Sequence, residues 1–316
     1  MKAKKDYIYL DTNITSDFKL FDNHQWDLFK KVQKKYYIPF SHAHLFDLSN
    51  SPKKYLSEDL HLIERISDGY FLNGLDINGK FSIVKLEQNI EKFFEKVIET
   101  HKKEGETEKQ NRKYYVPDYD RHKVELSKMH KKSFLTDMII KNNGILDDNL
   151  PNIIMSYLIE NLESPSAYKS FRKQVQDAIA HSKKYNTYKN LPKQYTGFLE
   201  IFSGSLTDDE CFTKLTEYMR WAGRINGDGF DVLSAPQQIV NIYSILDLVK
   251  GFSEDFSSTN KWSNMYYDGQ HCANASQSKF FISKEKNNKS KYDIIKREFK
   301  LKYQEITLDS LLFRFL

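Results

Sequence analysis

Cysteine is nearly absent: the 316 residues include two, Cys211 and Cys272. They lie far apart, match no paired zinc spacing and are too few to brace a chain of this size, which excludes a disulfide scaffold and a cysteine-held zinc module. A reducing, cytoplasmic setting is expected. Long apolar runs are missing as well. The best candidate, Ile153 to Ile159, falls short of the roughly 20 residues that cross a bilayer and is interrupted by Ser156. No membrane partner is expected. The basic start, Met1 to Lys5, leads into the apolar stretch Tyr7 to Leu10 without a small-residue cleavage site, which argues against export. Internal repeats are lacking, and so is a phosphate-binding glycine loop, because Asn226-Gly-Asp-Gly229 has no following lysine and helix and reads as a turn. Neither sign of charge dominates. A formal net charge of +5 permits a polyanionic partner without demanding one.

What is present is core. Hydrophobic residues make up 40% and aromatics 14%, enough for one large domain or two ordinary ones. The N-terminal third alternates in type: Tyr7 to Leu10 reads as a buried strand, Trp26 to Gln33 as a helix and Tyr36 to Phe40 as a second strand. Ser41 or His42 then caps a helix carrying Ala43, Leu45, Phe46 and Asp47. The far end repeats this grammar, with a helix near Asp268 to Ala275, a strand at Lys279 to Ser283, a helix around Tyr292 to Leu301 and a strand near Tyr303 to Ile306. Alternation of this kind implies an α/β domain with a parallel sheet flanked by helices. The two ends, residues 1–80 and 256–316, are expected to be its halves.

Between them, residues 81–255 change to amphipathic helical patterns separated by Pro, Gly and Asn breaks. Ile239, Ile242, Tyr243, Leu246 and Val249 recur at helical spacing after Pro236, and similar periods appear in Ile90 to Ile98 and Ile153 to Leu162. This segment is expected to be a mainly α-helical insertion, entered through a hairpin-like stretch from Gly69 to Val84. Within it, His101 to Ser133 is rich in Lys and Arg and contains Tyr114, Tyr115 and Tyr119. It reads either as a solvated face or as a nucleic-acid clamp in which Lys109, Arg112, Lys113 and Arg121 meet the phosphates.

A carboxylate at the end of a parallel strand points into the crevice where open α/β sheets bind ligands, and Asp11 sits at such an end. Asn13, two residues on, is placed to orient it. Read together, three segments carry a family resemblance: Tyr7-Ile-Tyr-Leu-Asp-Thr-Asn13, Ile38-Pro-Phe-Ser-His-Ala-His-Leu-Phe-Asp-Leu48, and Asp268-Gly-Gln-His-Cys-Ala-Asn-Ala275 followed by Phe280-Phe-Ile-Ser-Lys-Glu285. The chain resembles the PIN-domain nucleases over roughly its first 85 and last 60 residues. The resemblance implies a PIN-like fold in which Asp11, Asp47, Asp268 and Glu285 hold Mg²⁺ or Mn²⁺, with Asn13 and Ser283 hydrogen-bonding around them. Asp47 stands where the family usually has Glu, and Ser283-Lys-Glu285 where it usually has Thr-x-Asp.

Clustered carboxylates suit such a site because hard cations prefer oxygen ligands and because the acids would repel one another without a cation between them. The function the resemblance implies is a metal-dependent endonuclease, with RNA expected ahead of DNA as substrate; the Lys and Asn bias of the sequence fits a toxin or phage-defence role, in which a regulatory protein partner is expected. The alternatives are a PIN-like nuclease for single-stranded or branched DNA, and a catalytically weak PIN-fold binding or scaffold module. His42, His44 and His271 flank the acids and could meet phosphates. For His44 and His271, hydrogen bonding inside the domain is the expected role. Arg172 and His181, on one expected helix, read as surface residues.

Overall fold

The computed structural model describes residues 5–76, 78–115, several positions between 164 and 184, 200–201, 206–225, 229–247, 249, 251–252, 262–284 and 289–316. Its architecture is mixed α/β and mostly helical, with a small parallel three-stranded sheet. Two compact units are present. The first comprises Met1–Lys102, Ser234–Val240 and Tyr267–Leu316, and the second Lys103–Leu233 and Asn241–Tyr266.

In the first unit, strand β1 (Ile8–Leu10) is followed by a 3-10 turn at Thr12–Ile14 and helices α1 (Thr15–Phe18), α2 (Asn23–Lys35), α3 (His42–Ser49) and α4 (Lys53–Ser67). Hairpin β2 (Tyr70–Leu75) and β3 (Phe81–Lys85) leads into α5 (Ile90–Tyr115). Helix α6 (Asp208–Ile225) belongs to the second unit. In chain order there follow α7 (Ala235–Leu246), α8 (Trp262–Ala275), β4 (Phe280–Ile282), α9 (Lys289–Glu298), β5 (Gln304–Glu305) and α10 (Leu308–Phe313).

The sheet runs in the order β1-β4-β5, with both pairings parallel. Ile8, Tyr9 and Leu10 face Phe280, Phe281 and Ile282, so the two ends of the sequence share one sheet. The central place belongs to β4, which apolar residues fill on both faces. Ile8, Leu10, Phe280 and Ile282 join one core with Phe29 and Val32 of α2 and Leu311 of α10. Each such side chain contributes about 1.5–3 kcal/mol on burial. On the opposite face, as period-two alternation requires, Tyr9 and Phe281 meet at 6.3 Å between ring centroids.

Helix α2 starts on a reciprocal cap in which Gln25 N–H donates to Asp22 Oδ1 at 2.8 Å and Asp22 N–H to Gln25 Oε1 at 3.0 Å. Helix α4 ends with Asp68 at φ 49° and Gly69 at φ 70°, and Gly69 N–H closes on the Glu64 carbonyl at 3.0 Å. A left-handed residue at this exit turns the chain into β2, and glycine supplies it without strain.

The expected second strand, Tyr36 to Phe40, does not form as one ladder. Tyr37 bridges Tyr7 in parallel, and Phe40 bridges Phe71 of β2. Pro39 lies between the two bridges and has no N–H to give, so the segment passes from one sheet to the other. The insertion also begins later than residue 81. Residues 81–102 belong to the first unit, where β3 pairs with β2 and Ile90 and Phe94 of α5 pack with Phe40, Leu45 and Phe71. Ile153 to Leu162 lies outside the described residues. In the second unit, Arg172 is no surface cation: it pairs at 3.4 Å with the fully buried Asp247, because an acid at zero exposure needs a counter-charge. His181 lies outside the described residues. Among the described residues, no helix is long and apolar enough to cross a membrane.

Candidate functional site

Asp11 leaves β1 and Ser283 leaves β4 at the same edge, because the two strands are parallel and in register. The Asp11 N–H extends the pairing by donating to the Ile282 carbonyl at 2.9 Å. Its carboxylate, 7% exposed, accepts on Oδ2 from Ser283 Oγ–H at 2.6 Å and from the Asn13 amide at 3.1 Å. The same Asn13 Nδ2 lies 3.3 Å from Ser283 Oγ, and Asn13 Oδ1 accepts from Lys284 N–H at 3.0 Å. Asn13 therefore staples the exits of the two strands around Asp11. Both described bonds to Asp11 fall on Oδ2. The Lys284 ammonium, next to Glu285 in sequence, is engaged by Asp17.

Asp47 reaches the same region from α3. Its Oδ2 lies 2.9 Å from His271 Nε2 on α8, and the Thr12 hydroxyl stands 3.2 Å from that nitrogen. His271 is buried at 1% exposure, whereas the Asp47 side chain is 28% exposed. Asp268 is half-buried on α8, one helical turn before His271. Burial opposes charge on the His271 ring. The hydrogen bond to Asp47, followed by the charges of Asp47, Asp11 and Asp268, outweighs that cost and pushes its pKa up from 6.5 to about 9. For Asp47, burial works toward the neutral acid, but the hydrogen bond to His271 and its charge prevail, and the pKa is lowered. All three acids thus act on one buried imidazole.

That imidazole belongs to a buried polar chain. His271 Nδ1 lies 2.8 Å from the Tyr9 hydroxyl, which is 2.8 Å from Ser41 Oγ and accepts from Asn274 Nδ2 at 3.1 Å. Burial holds the Tyr9 phenol well above its usual pKa, so it stays a hydroxyl. At the head of α3, Ser41 N–H donates to His44 Nδ1 at 3.1 Å, and Ser41 Oγ stands 3.0 Å from the same nitrogen. An Nδ1 that accepts a backbone N–H carries no proton, so His44 donates through Nε2 to the Leu10 carbonyl at 2.8 Å. Burial first, and then the neighbouring His271, lower the His44 pKa from 6.5 to about 3. The two imidazoles, 4.9 Å apart between centroids, are driven in opposite directions.

Carboxylate oxygens are the right donors for a hard cation. Among the described residues, however, no group of three or more His, Cys, Asp and Glu side chains is spaced to hold one metal ion. Glu285 lies outside the described residues, as does Arg121. Lys109, Arg112 and Lys113 fall on α5 in the part assigned to the second unit, and their side chains are not described. His42 is half-buried and packs edge-on against Phe71 at 4.9 Å between centroids.

The sequence reading missed Tyr9 and Asn274. A signal for Tyr9 exists: a phenol inside a strand of otherwise apolar residues carries a hydroxyl that must find a partner. Comparison with family models, curated proteins and solved structures finds no match for this chain.

Proposed function

We propose that the chain is a metal-dependent nuclease of PIN-like fold that hydrolyses phosphodiester bonds, with RNA as the preferred substrate class. The observation that carries this reading is the place of Asp11 at the carboxyl edge of two parallel strands, near a buried His271 that is hydrogen-bonded to Asp47 and also feels the charges of Asp11 and Asp268. In this reading Asp11, Asp47 and Asp268 hold Mg²⁺ or Mn²⁺, with Glu285 as the fourth acid. Held there, the ion would supply activation of water and an offset to the charge that builds on the phosphate. The chain's own side chains prepare the edge for it. Ser283 and Asn13 engage Asp11 Oδ2. His271 holds one oxygen of Asp47 and moderates the repulsion among the acids. Lys109, Arg112, Lys113 and Arg121 are proposed to attract the phosphate backbone, which the acids alone would repel.

A second reading, a PIN-fold binding module without efficient catalysis, draws on the lack of a three-donor group among the described residues. One experiment separates the two. The full chain is incubated with Mn²⁺ or Mg²⁺ and end-labelled structured RNA, single-stranded RNA or single-stranded DNA, beside Asp11→Asn. Metal-dependent cleavage, a gain in Tm on adding Mn²⁺ and loss of both in Asp11→Asn are expected. Nucleic-acid binding without cleavage or a metal-induced Tm gain would establish the binding module instead. Equal cleavage by Asp11→Asn would remove Asp11 from the site.

A further inference from the structure

We propose that Tyr9 is a positioning residue which, through His271, fixes the Asp47 carboxylate relative to Asp11; the proposal rests on the metal-site reading above. A phenol offers one donor and two acceptor sites, and the Tyr9 hydroxyl meets three polar atoms: Ser41 Oγ and His271 Nδ1, each at 2.8 Å, and Asn274 Nδ2 at 3.1 Å. It is fully buried, so no water competes for those places. His271 is then held at both ring nitrogens, by Tyr9 at Nδ1 and by Asp47 at Nε2, 2.9 Å away. An imidazole held at both ends cannot rotate about its ring axis without breaking a bond, so the position of Asp47 Oδ2 is inherited from that of the Tyr9 hydroxyl.

The other end of the chain is anchored just as firmly. Ser41 meets His44, and His44 donates to the carbonyl of Leu10 at 2.8 Å. Leu10 is the residue before Asp11. The path Leu10, His44, Ser41, Tyr9, His271, Asp47 therefore starts at the backbone that carries one acid and finishes on the side chain of the other. A purely structural network would end on buried groups. This one ends on a carboxylate whose side chain is 28% exposed, the form expected when outlying hydrogen bonds orient a ligand.

Tyr9→Phe removes the hydroxyl and keeps the ring. In the full-length chain, Mn²⁺ affinity is measured by titration calorimetry, and the His271 Nε2–H resonance is followed by nitrogen-15 NMR. The variant is expected to unfold cooperatively, to bind Mn²⁺ about tenfold more weakly, and to show a broadened or shifted Nε2–H signal. His271→Gln keeps an amide N–H near the Nε2 position but gives up the bond to Tyr9, so it should weaken Mn²⁺ binding to a similar extent and make a further Tyr9→Phe change nearly silent. Unaltered affinity and resonance in Tyr9→Phe would overturn the proposal, and so would an equal loss from Tyr9→Phe in the His271→Gln background. Should Tyr9→Phe fail to fold, Ser41→Ala cuts the same chain one link earlier and is expected to shift the same resonance; an unshifted signal there would also overturn it. A wild-type chain that takes up no Mn²⁺ defeats the metal reading instead, and the resonance of the variant then decides alone whether Tyr9 holds His271.

Discussion

Asp11 and Asp47 occupy two regions that hold a carboxylate by opposite means. Asp11 is served by neutral donors close to its own strand edge, a serine hydroxyl and an amide two residues away. Asp47 is served by an imidazole that reaches back through the core to the next strand position, with Tyr9 and Ser41 in between. The first arrangement is local and replaceable in parts, whereas in the second each link fixes the next. Damage at Asp11 should therefore stay at the edge, and damage near Asp47 should reach the core.

The largest effect should come from His271→Ala, which leaves a cavity, an acid without its donor and a buried Tyr9 hydroxyl short of a partner. A loss of about 3–4 kcal/mol is expected in urea unfolding. A loss below about 1 kcal/mol would place the Asp47 region on the same local footing as that of Asp11.

Next in size is a pH dependence set by the two imidazoles. The His271 pKa is raised from 6.5 to about 9, so its contribution is fully present below 6.5 and is lost as pH rises through 9. That limb is worth on the order of 3 kcal/mol. The His44 pKa is lowered from 6.5 to about 3, so the unfolded chain takes up a proton between those values while the folded chain does not. Stability falls as pH drops through that window. Asp47, with its pKa lowered, loses its share further down, as pH passes through its folded value. Urea midpoints across pH should thus peak near neutrality. His271→Gln should flatten the alkaline limb and shrink the acid one, in which the burial of His44 remains while the help of His271 to His44 and Asp47 is lost, and an unchanged alkaline limb in that variant would assign it to other groups.

The smallest effect belongs to the Asp11 side. Ser283→Ala removes one hydroxyl donor and should cost about 1 kcal/mol or less, with little change in the pH profile of stability. A double-mutant cycle with His271→Gln should be nearly additive, because the two changes share no hydrogen-bond partner and meet only through the charge of Asp11. Strong coupling would erase the distinction between the two regions.

The parts of this site visible in the sequence are those whose signals are local. A buried strand running into Asp-Thr-Asn, an acid on a capped helix and a helical Asp before the fourth strand can be seen without knowing what they touch. That the two ends share one sheet was likewise accessible from the strand–helix grammar at both, although β4 and not β1 takes the central place. The role of Tyr9 was not: its phenol signals only that a partner is needed, and that partner is His271, 262 residues away. Residues 36–40 looked like a strand by composition, yet Pro39 divides their pairing between two sheets. Helix α4 has a sequence signal of its own, since Leu56, Leu60 and Ile63 recur at helical spacing after Pro52. α10 has one in Thr307, whose side chain accepts from Ser310 N–H at its start.

The pairing of β1 with β4 also has a consequence for the order of events during synthesis. Asp11 and Ser283 are 272 positions apart along the chain, and a ribosome adding about 5–20 residues per second takes tens of seconds to cover that span. Throughout that time the first strand waits without its parallel neighbour, and Asp47 without His271. The edge where the acids gather is completed only by late translation, so a nascent or prematurely stopped polypeptide lacking the segment from α8 onward carries half of the site and none of its closure.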